Sequence, residues 1–138
     1  MPTEDTRALT HPQTAPARAL SALVHRFLRA SEARDRAALG EMAAAGFTAS
    51  FPGGVVHGSV GAWMDSSERS FEAVRKHFER FDVIEGETPD SGTVYALGQL
   101  TGRFRDGTSL DGSRFIDRFE IAGGRILCQT VWNDLGTR

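Results

Sequence analysis

Two acidic residues in the last quarter of the chain stand among apolar ones, where a carboxylate could do acid–base chemistry. In residues 113–121 the alternation of a strand places Asp117 on one face with Phe115 and Phe119. Burying an isolated carboxylate costs on the order of several kcal/mol unless the group is paired or protonated. The pattern therefore predicts that Asp117 is buried and has either a function or a partner.

The second acid, Asp134, ends the next strand-like run, and the turn between the two runs predicts how they pair. A two-residue turn at Gly123-Gly124 would place both acids on one concave face with a tryptophan and a hydroxyl. The predicted cross-strand pairs on this face are Asp117 with Thr130 and Phe115 with Trp132. A β-bulge anywhere in this hairpin would break the count.

Two interpretations of these acids stay open. In the functional one, Asp117 and Asp134 are catalytic acid–base groups in an apolar pocket, where desolvation raises the pKa of a carboxyl towards neutrality. In the structural one, Asp117 forms a salt bridge with an arginine or accepts hydrogen bonds from loop backbone. Asp134 would then cap a strand end or lie in solvent.

Other polar and aromatic residues are candidates for binding a substrate. Tyr95 and Gln99 share one face of a long strand and could donate hydrogen bonds to a carbonyl or enolate oxygen. They could equally form a polar pair on the outer face. His57 follows a glycine turn near the expected pocket mouth, and Trp63 suits a pocket wall or the core. The hairpin adds four more candidates: Phe115, Phe119, Thr130 and Trp132.

The elements that must position these residues change period along the chain. Apolar spacing predicts a helix over about 16–32, a second from an Asp35 N-cap to Gly46, and a long third from Ser59 to Phe78. Strands are predicted over 47–51, 55–57, 81–87, 93–105, 113–121 and 125–134, with turns at 89–92, 106–107, 111–112 and 123–124. Helices first and an antiparallel meander last indicate an α+β fold.

This order of elements resembles the nuclear transport factor 2-like superfamily, and within it the SnoaL-like branch, named for polyketide cyclases. The resemblance rests on FPGGVVHG at 51–58 ahead of a long helix, FIDRFEI and GRI between 115 and 126, and VWNDLG at 131–136. It implies a cone-shaped α+β barrel, with N-terminal helices packed in a curved antiparallel or mixed sheet around one deep pocket. It also implies a single SnoaL-like domain over 16–138 after a flexible tail at 1–15. The cyclases' closing acid falls on Asp134.

The sequence departs from two enzymes of that superfamily. Steroid isomerases use a tyrosine of the first helix and an acid of the first strand. Here the first helix has no tyrosine, and the first strand offers only Thr48 and Ser50. Epoxide hydrolases need an arginine flanked by two acids, and the candidate arginines lack the expected Arg-x-Asp order.

Two classes of function fit these features. The first is an isomerase or cyclase that acts by acid–base chemistry on a small, largely apolar carbonyl compound. Tyr95, Gln99 or Asn133 would hold the oxygen, and no metal or organic cofactor is needed. The second is a non-catalytic protein of the same fold that binds a small ligand or serves as a dimerisation module. The mixed face of residues 114–120 suits a homodimer formed through the outer sheet face.

Composition limits the partners and the location. The net charge of −2 over 138 residues gives no field that would attract nucleic acid or an anionic membrane. A single cysteine, Cys128, excludes an internal disulfide. Apolar runs are too short to span a membrane, and residues 1–16 lack the apolar core of a signal peptide. These features predict a cytoplasmic bacterial protein. Lys76 is the only lysine of the chain.

Overall fold

The computed structural model describes residues 13–135 of the chain. Its elements are α1 (Ala15–Glu32), α2 (Arg36–Met42), β1 (Ala43–Phe51), β2 (Val55–His57), α3 (Val60–Ser70), β3 (Phe71–Glu85), β4 (Gly92–Phe104), β5 (Ser109–Ala122) and β6 (Arg125–Asn133). The predicted tail lies almost entirely outside the described residues. No helix within residues 13–135 combines the length and the apolar character needed to cross a membrane.

The six strands form one mixed sheet in the order β2-β1-β6-β5-β4-β3. Neighbouring strands are antiparallel except for β1 and β6, which pair in parallel. The sheet does not close on itself, and the helices pack against one of its faces, hereafter the inner face. The predicted α+β class and cone-like architecture are therefore confirmed.

Helix α1 supplies the side chains that fill the inner face of the sheet. Thr14 caps it, because its Oγ1 accepts a hydrogen bond from Ala17 N at 3.1 Å, and Pro16 occupies the first turn. Val24, Phe27 and Leu28 are fully buried. Burying each of these side chains stabilises the fold by about 1.5–3 kcal/mol. Helix α1 therefore stabilises the sheet by packing against its inner face.

The second helix is shorter than the spacing predicted. Asp35 caps it as expected, with Oδ1 accepting from Ala38 N at 3.1 Å, but the helix ends at Met42. Strand β1 begins at Ala43, which pairs with Ile126 of β6. Gly46 is therefore not a helix stop: it lies inside β1 with φ +79°, where the register of the β1–β6 pair shifts.

The largest correction concerns the third helix, which ends at Ser70 rather than at Phe78. Residues 71–78 instead belong to β3 (71–85), which continues into the strand predicted from residue 81 and pairs with β4 along its whole length. Register shifts near Phe71 and after Phe78 insert extra residues into β3. Inward residues thus recur at intervals of three as well as two, which imitates a helical period. Lys76, predicted on the charged face of a helix, lies on the inner face of β3 as a result.

The β5–β6 hairpin confirms the turn but not the register that was counted from it. Gly123 and Gly124 both have positive φ, 59° and 71°, and Ala122 pairs with Arg125 as predicted. A bulge at Leu127 then shifts the pairing by one residue, so Glu120 faces Cys128 and Asp117 faces Val131. Because one residue reverses a strand's faces, the predicted partners of the inner face are wrong.

The predicted turn at 111–112 is also wrong. Strand β5 begins at Ser109 and continues through Gly112, which has φ +76°. The register against β4 shifts at this point, between Leu100 and Thr101. Asp-Gly here forms a bulge within a long strand, because β4 offers partners on both sides of it.

Candidate functional site

A cavity of about 240 Å³ opens between α1, α3 and the inner face of the sheet. Most of its wall is apolar, from Phe51, Trp63, Met64, Val74, Leu100 and Leu110. Polar groups reach it at a few points, among them His57, Lys76 and Gln129. An apolar cavity with a few convergent polar groups is the usual form of a small-molecule site.

Lys76 is the cation of this cavity, and the C-terminal end of α1 fixes its backbone. Its N–H donates to Glu32 Oε2 at 2.6 Å, and its carbonyl accepts from Arg29 Nη1 at 3.0 Å. The side chain is 11% exposed, and Nζ donates to Asp117 Oδ2. The ammonium also lies 4.5 Å from the centroid of the Phe115 ring, a favourable cation–π distance.

Asp117 lies behind Lys76 and is fully buried, as the alternation of β5 predicted. Its Oδ2 also accepts from Gln129 Nε2 at 3.4 Å, while Oδ1 has no hydrogen-bond partner among the described residues. Burial raises the pKa of the Asp117 carboxyl, and the nearby Lys76 ammonium opposes that rise only in part. The predicted arginine partner is a lysine, and the pair is the main polar feature beneath the cavity.

Asp117 does not itself line the cavity, because Lys76 and Gln129 stand between it and the open space. Gln129 is buried, and its Oε1 has no hydrogen-bond partner among the described residues. A ligand with a hydroxyl or N–H could therefore satisfy this acceptor. A second carboxylate in the wall, Glu32, is already bonded to Arg29, Arg75 and the Lys76 backbone.

The structure separates the two acids that the sequence placed together. Asp134 lies outside the cavity and pairs with Arg114, whose Nε is 2.6 Å from Oδ2. This arginine holds the pKa of the Asp134 carboxyl below its ordinary value. Asp134 instead borders a shallow groove with Ile116 and Trp132.

The other predicted residues divide between the two faces of the sheet. His57 and Trp63 line the cavity, and the rings of His57 and Phe51 lie 5.5 Å apart. Phe115 and Phe119 are buried in the core, with Phe115 beneath Lys76. Four residues face outward and away from the cavity: Tyr95, Gln99, Thr130 and Trp132.

The outward position of Tyr95 matches the alternative interpretation of that residue, a polar pair on the outer face. Its hydroxyl accepts a hydrogen bond from Arg118 Nε at 3.2 Å. The predicted sharing of a face by Thr130, Trp132 and Asp117 is wrong, because the Leu127 bulge turns Thr130 and Trp132 outward.

Sequence reasoning missed Lys76 and Gln129 as cavity residues. Lys76 carried a signal, since it is the only lysine of the chain. However, the helix predicted from Ser59 to Phe78 placed Lys76 on its charged, solvent-facing side. Gln129 carried none, because the register that counted across the Gly123-Gly124 turn put it on the outer face.

The chain is similar in structure to NTF2-like proteins. A protein of unknown function from Burkholderia pseudomallei, described as NTF2-like, is 14% identical, with a TM-score of 0.70 over 86% of this chain and 93% of the other. Aln2 from a Streptomyces species is 16% identical, with a TM-score of 0.68 over 92% and 99%. A protein from Shewanella frigidimarina, provisionally assigned as a ketosteroid isomerase, is 15% identical, with a TM-score of 0.66 over 86% and 98%.

These likenesses confirm the predicted NTF2-like fold. No protein-family model matches the chain, and no curated protein matches it in sequence. At such low identities the neighbours define the architecture, and the chemistry must be argued from the cavity itself.

Proposed function

We propose that the cavity binds a small, largely apolar carbonyl compound and that the chain catalyses a cofactor-free proton transfer on it, as a SnoaL-like isomerase or cyclase would. The observation that carries the proposal is the Lys76–Asp117 pair at the wall of an apolar cavity. Charged groups interact strongly where water is excluded, so such a pair can respond to charge that develops on a substrate.

In this proposal Lys76 is the catalytic residue, because its amine alone of the pair reaches the cavity. When neutral, this amine removes a proton from the carbon beside the carbonyl, and the ammonium so formed stabilises the negative charge on the carbonyl oxygen. Asp117 positions Lys76 and holds the proton when the amine is neutral, which burial of the carboxyl favours.

The proposal is tested by the exchange of the acidic protons of β-tetralone in heavy water, followed by NMR. We expect the chain to accelerate exchange, and Lys76→Met to reduce the accelerated rate by about 100-fold or more, since general acid–base groups contribute on that scale. Asp117→Asn should lower the rate and change its pH profile. Asp134→Asn and Asp82→Asn, which lie outside the cavity, serve as controls and should leave it unchanged.

Acceleration that survives Lys76→Met in a folded protein would contradict the proposal. A second function class, a binding protein without turnover, is favoured by one observation: both predicted acids have a cationic partner. Binding of β-tetralone that protects the protein against thermal unfolding, without any exchange, would identify that class.

We further propose that a second copy of the chain covers part of the outer sheet face. Ile116 and Trp132 are cross-strand partners there and are 43% and 50% exposed. Neighbouring exposed apolar side chains of this size favour a protein interface. A cytoplasmic location is proposed from the sequence.

A further inference from the structure

Lys76 supplies the cavity with a primary amine, and it is the only lysine of the chain. Lys76 is 11% exposed and opens onto an apolar space. Amines of lysine form covalent imines with carbonyl compounds, whereas guanidinium groups stay protonated and do not. We infer that Lys76 forms an imine with an apolar aldehyde or ketone bound in the cavity, an inference that rests on the proposed function and adds a covalent step to it.

Asp117 is placed to take the proton that the amine must lose. Its Oδ2 accepts a hydrogen bond from Lys76 Nζ, so the proton moves along an existing contact. The neutral nitrogen then adds to the carbonyl carbon, a C–N bond forms, and the oxygen takes up a proton to give a carbinolamine. Loss of water breaks the C–O bond and leaves the imine. In sum, an ammonium, a carboxylate and a carbonyl become an imine, a carboxylic acid and water.

The surroundings of the Lys76–Asp117 pair favour the neutral products of this reaction over the ion pair. The reaction removes one positive and one negative charge from a site where Asp117 is fully buried. Low-polarity surroundings favour neutral groups over charged ones, so the products suit the cavity better than the ion pair does. Trp63, Met64 and Leu110 line the space into which the new apolar group extends.

Gln129 supplies a further polar contact at the same point. It bonds Asp117 through Nε2, lines the cavity, and has an Oε1 without a partner among the described residues. That oxygen can accept a hydrogen bond from the carbinolamine hydroxyl, which the apolar side chains of the wall cannot do. The buried and unpaired acceptor is thus explained by an intermediate that carries a hydroxyl.

The test is reductive trapping of the full chain with phenylacetaldehyde and sodium cyanoborohydride, read by intact mass and peptide mapping. Reduction of the imine adds the aldehyde less its oxygen atom. We expect the Lys76 peptide to be labelled about 10-fold or more faster than the α-amino group of the same chain, because the bound aldehyde is held beside Nζ. This internal comparison needs no variant, so it does not depend on whether a variant folds.

Two variants sharpen the result. Lys76→Arg should abolish labelling at this position, and Lys76→Arg combined with Arg69→Lys moves the single lysine to an exposed site on α3. The moved lysine should react about 10-fold or more slowly than Lys76, at the rate of a free amine. Asp117→Asn should slow trapping and shift its dependence on pH, a change that a purely structural role would not produce.

Labelling of Lys76 no faster than the α-amino group, or no faster than the moved lysine, would overturn the imine. Proton exchange of β-tetralone separates this failure from that of the proposed function. Exchange without selective labelling overturns the imine alone, and absence of both overturns the two together.

Discussion

At the scale of single residues, the environment of Asp117 has the most direct consequence for how stability depends on pH. Burial raises the pKa of its carboxyl, so the folded chain holds this proton more tightly than the unfolded chain does. The contribution of Asp117 to stability is therefore most favourable at low pH. It is lost as pH rises through the ordinary carboxyl value, and it levels off above the folded pKa.

This sign can be measured by urea unfolding of the wild type and of Asp117→Asn at several pH values. We expect the wild type to lose stability relative to Asp117→Asn as pH rises. Asp134→Asn gives a control of opposite sign. Arg114 lowers the pKa of Asp134, so stability from that pair is present above the ordinary carboxyl value and lost as pH falls. A stability difference for Asp117→Asn that follows the Asp134 trend would mean that the Lys76 ion pair outweighs burial.

The burial of Asp117 was predictable because it depends on one strand only. Between Ser113 and Ile121, strand β5 pairs with β4 without a register shift, so simple alternation assigns its faces correctly. The partner of Asp117 was not predictable in the same way. Lys76 lies 41 residues earlier, in a segment of β3 for which the apolar spacing predicted a helix.

At the scale of elements, bulges decide which residues reach the cavity. The two register shifts in β3 and the one at Leu127 each place one extra residue on one strand of a pair. A bulge is settled by the partner strand and by packing on the helices, so the local pattern of apolar residues does not reveal it. For this reason the sequence predicted the Gly123-Gly124 turn and the element order correctly, while the register beyond Leu127 and the start of β3 were wrong.

The length of β3 also follows from tertiary contacts rather than from local preference. Residues 71–85 contain several good helix formers, but β3 pairs with thirteen consecutive or near-consecutive partners on β4 and buries Phe78 and Phe81. Those two side chains meet at a ring distance of 5.0 Å. Burial of these two phenylalanines, each worth about 1.5–3 kcal/mol, together with the backbone pairing to β4 favours the strand over the helix that local propensity allows.

At the scale of the whole molecule, the sheet separates two apolar regions with different roles. The inner one is the cavity with Lys76, and the outer one carries Ile116 and Trp132. We expect the chain to form a homodimer through the outer region, and Trp132→Glu to yield a monomer in light scattering after gel filtration. Val56→Glu is the matched control, since Val56 is exposed but lies on the edge strand β2, which β1 separates from β6.

A dimer that survives Trp132→Glu would place the interface elsewhere, and a wild-type monomer would remove the proposal. We also expect a substitution in the outer region to leave the chemistry of the cavity unchanged. Because Trp132 does not line the cavity, the monomeric variant should still exchange the protons of β-tetralone.

Lys76 contacts Asp117 and, in the proposed function, a cavity ligand as well, and because it is the only lysine one measurement tests both contacts. A protein labelled with isotope only at lysine gives one side-chain NMR signal. We predict that this signal shifts in Asp117→Asn and on addition of β-tetralone to the wild type, and that Asp134→Asn leaves it in place. A signal that responds to neither Asp117→Asn nor the ketone would contradict the account.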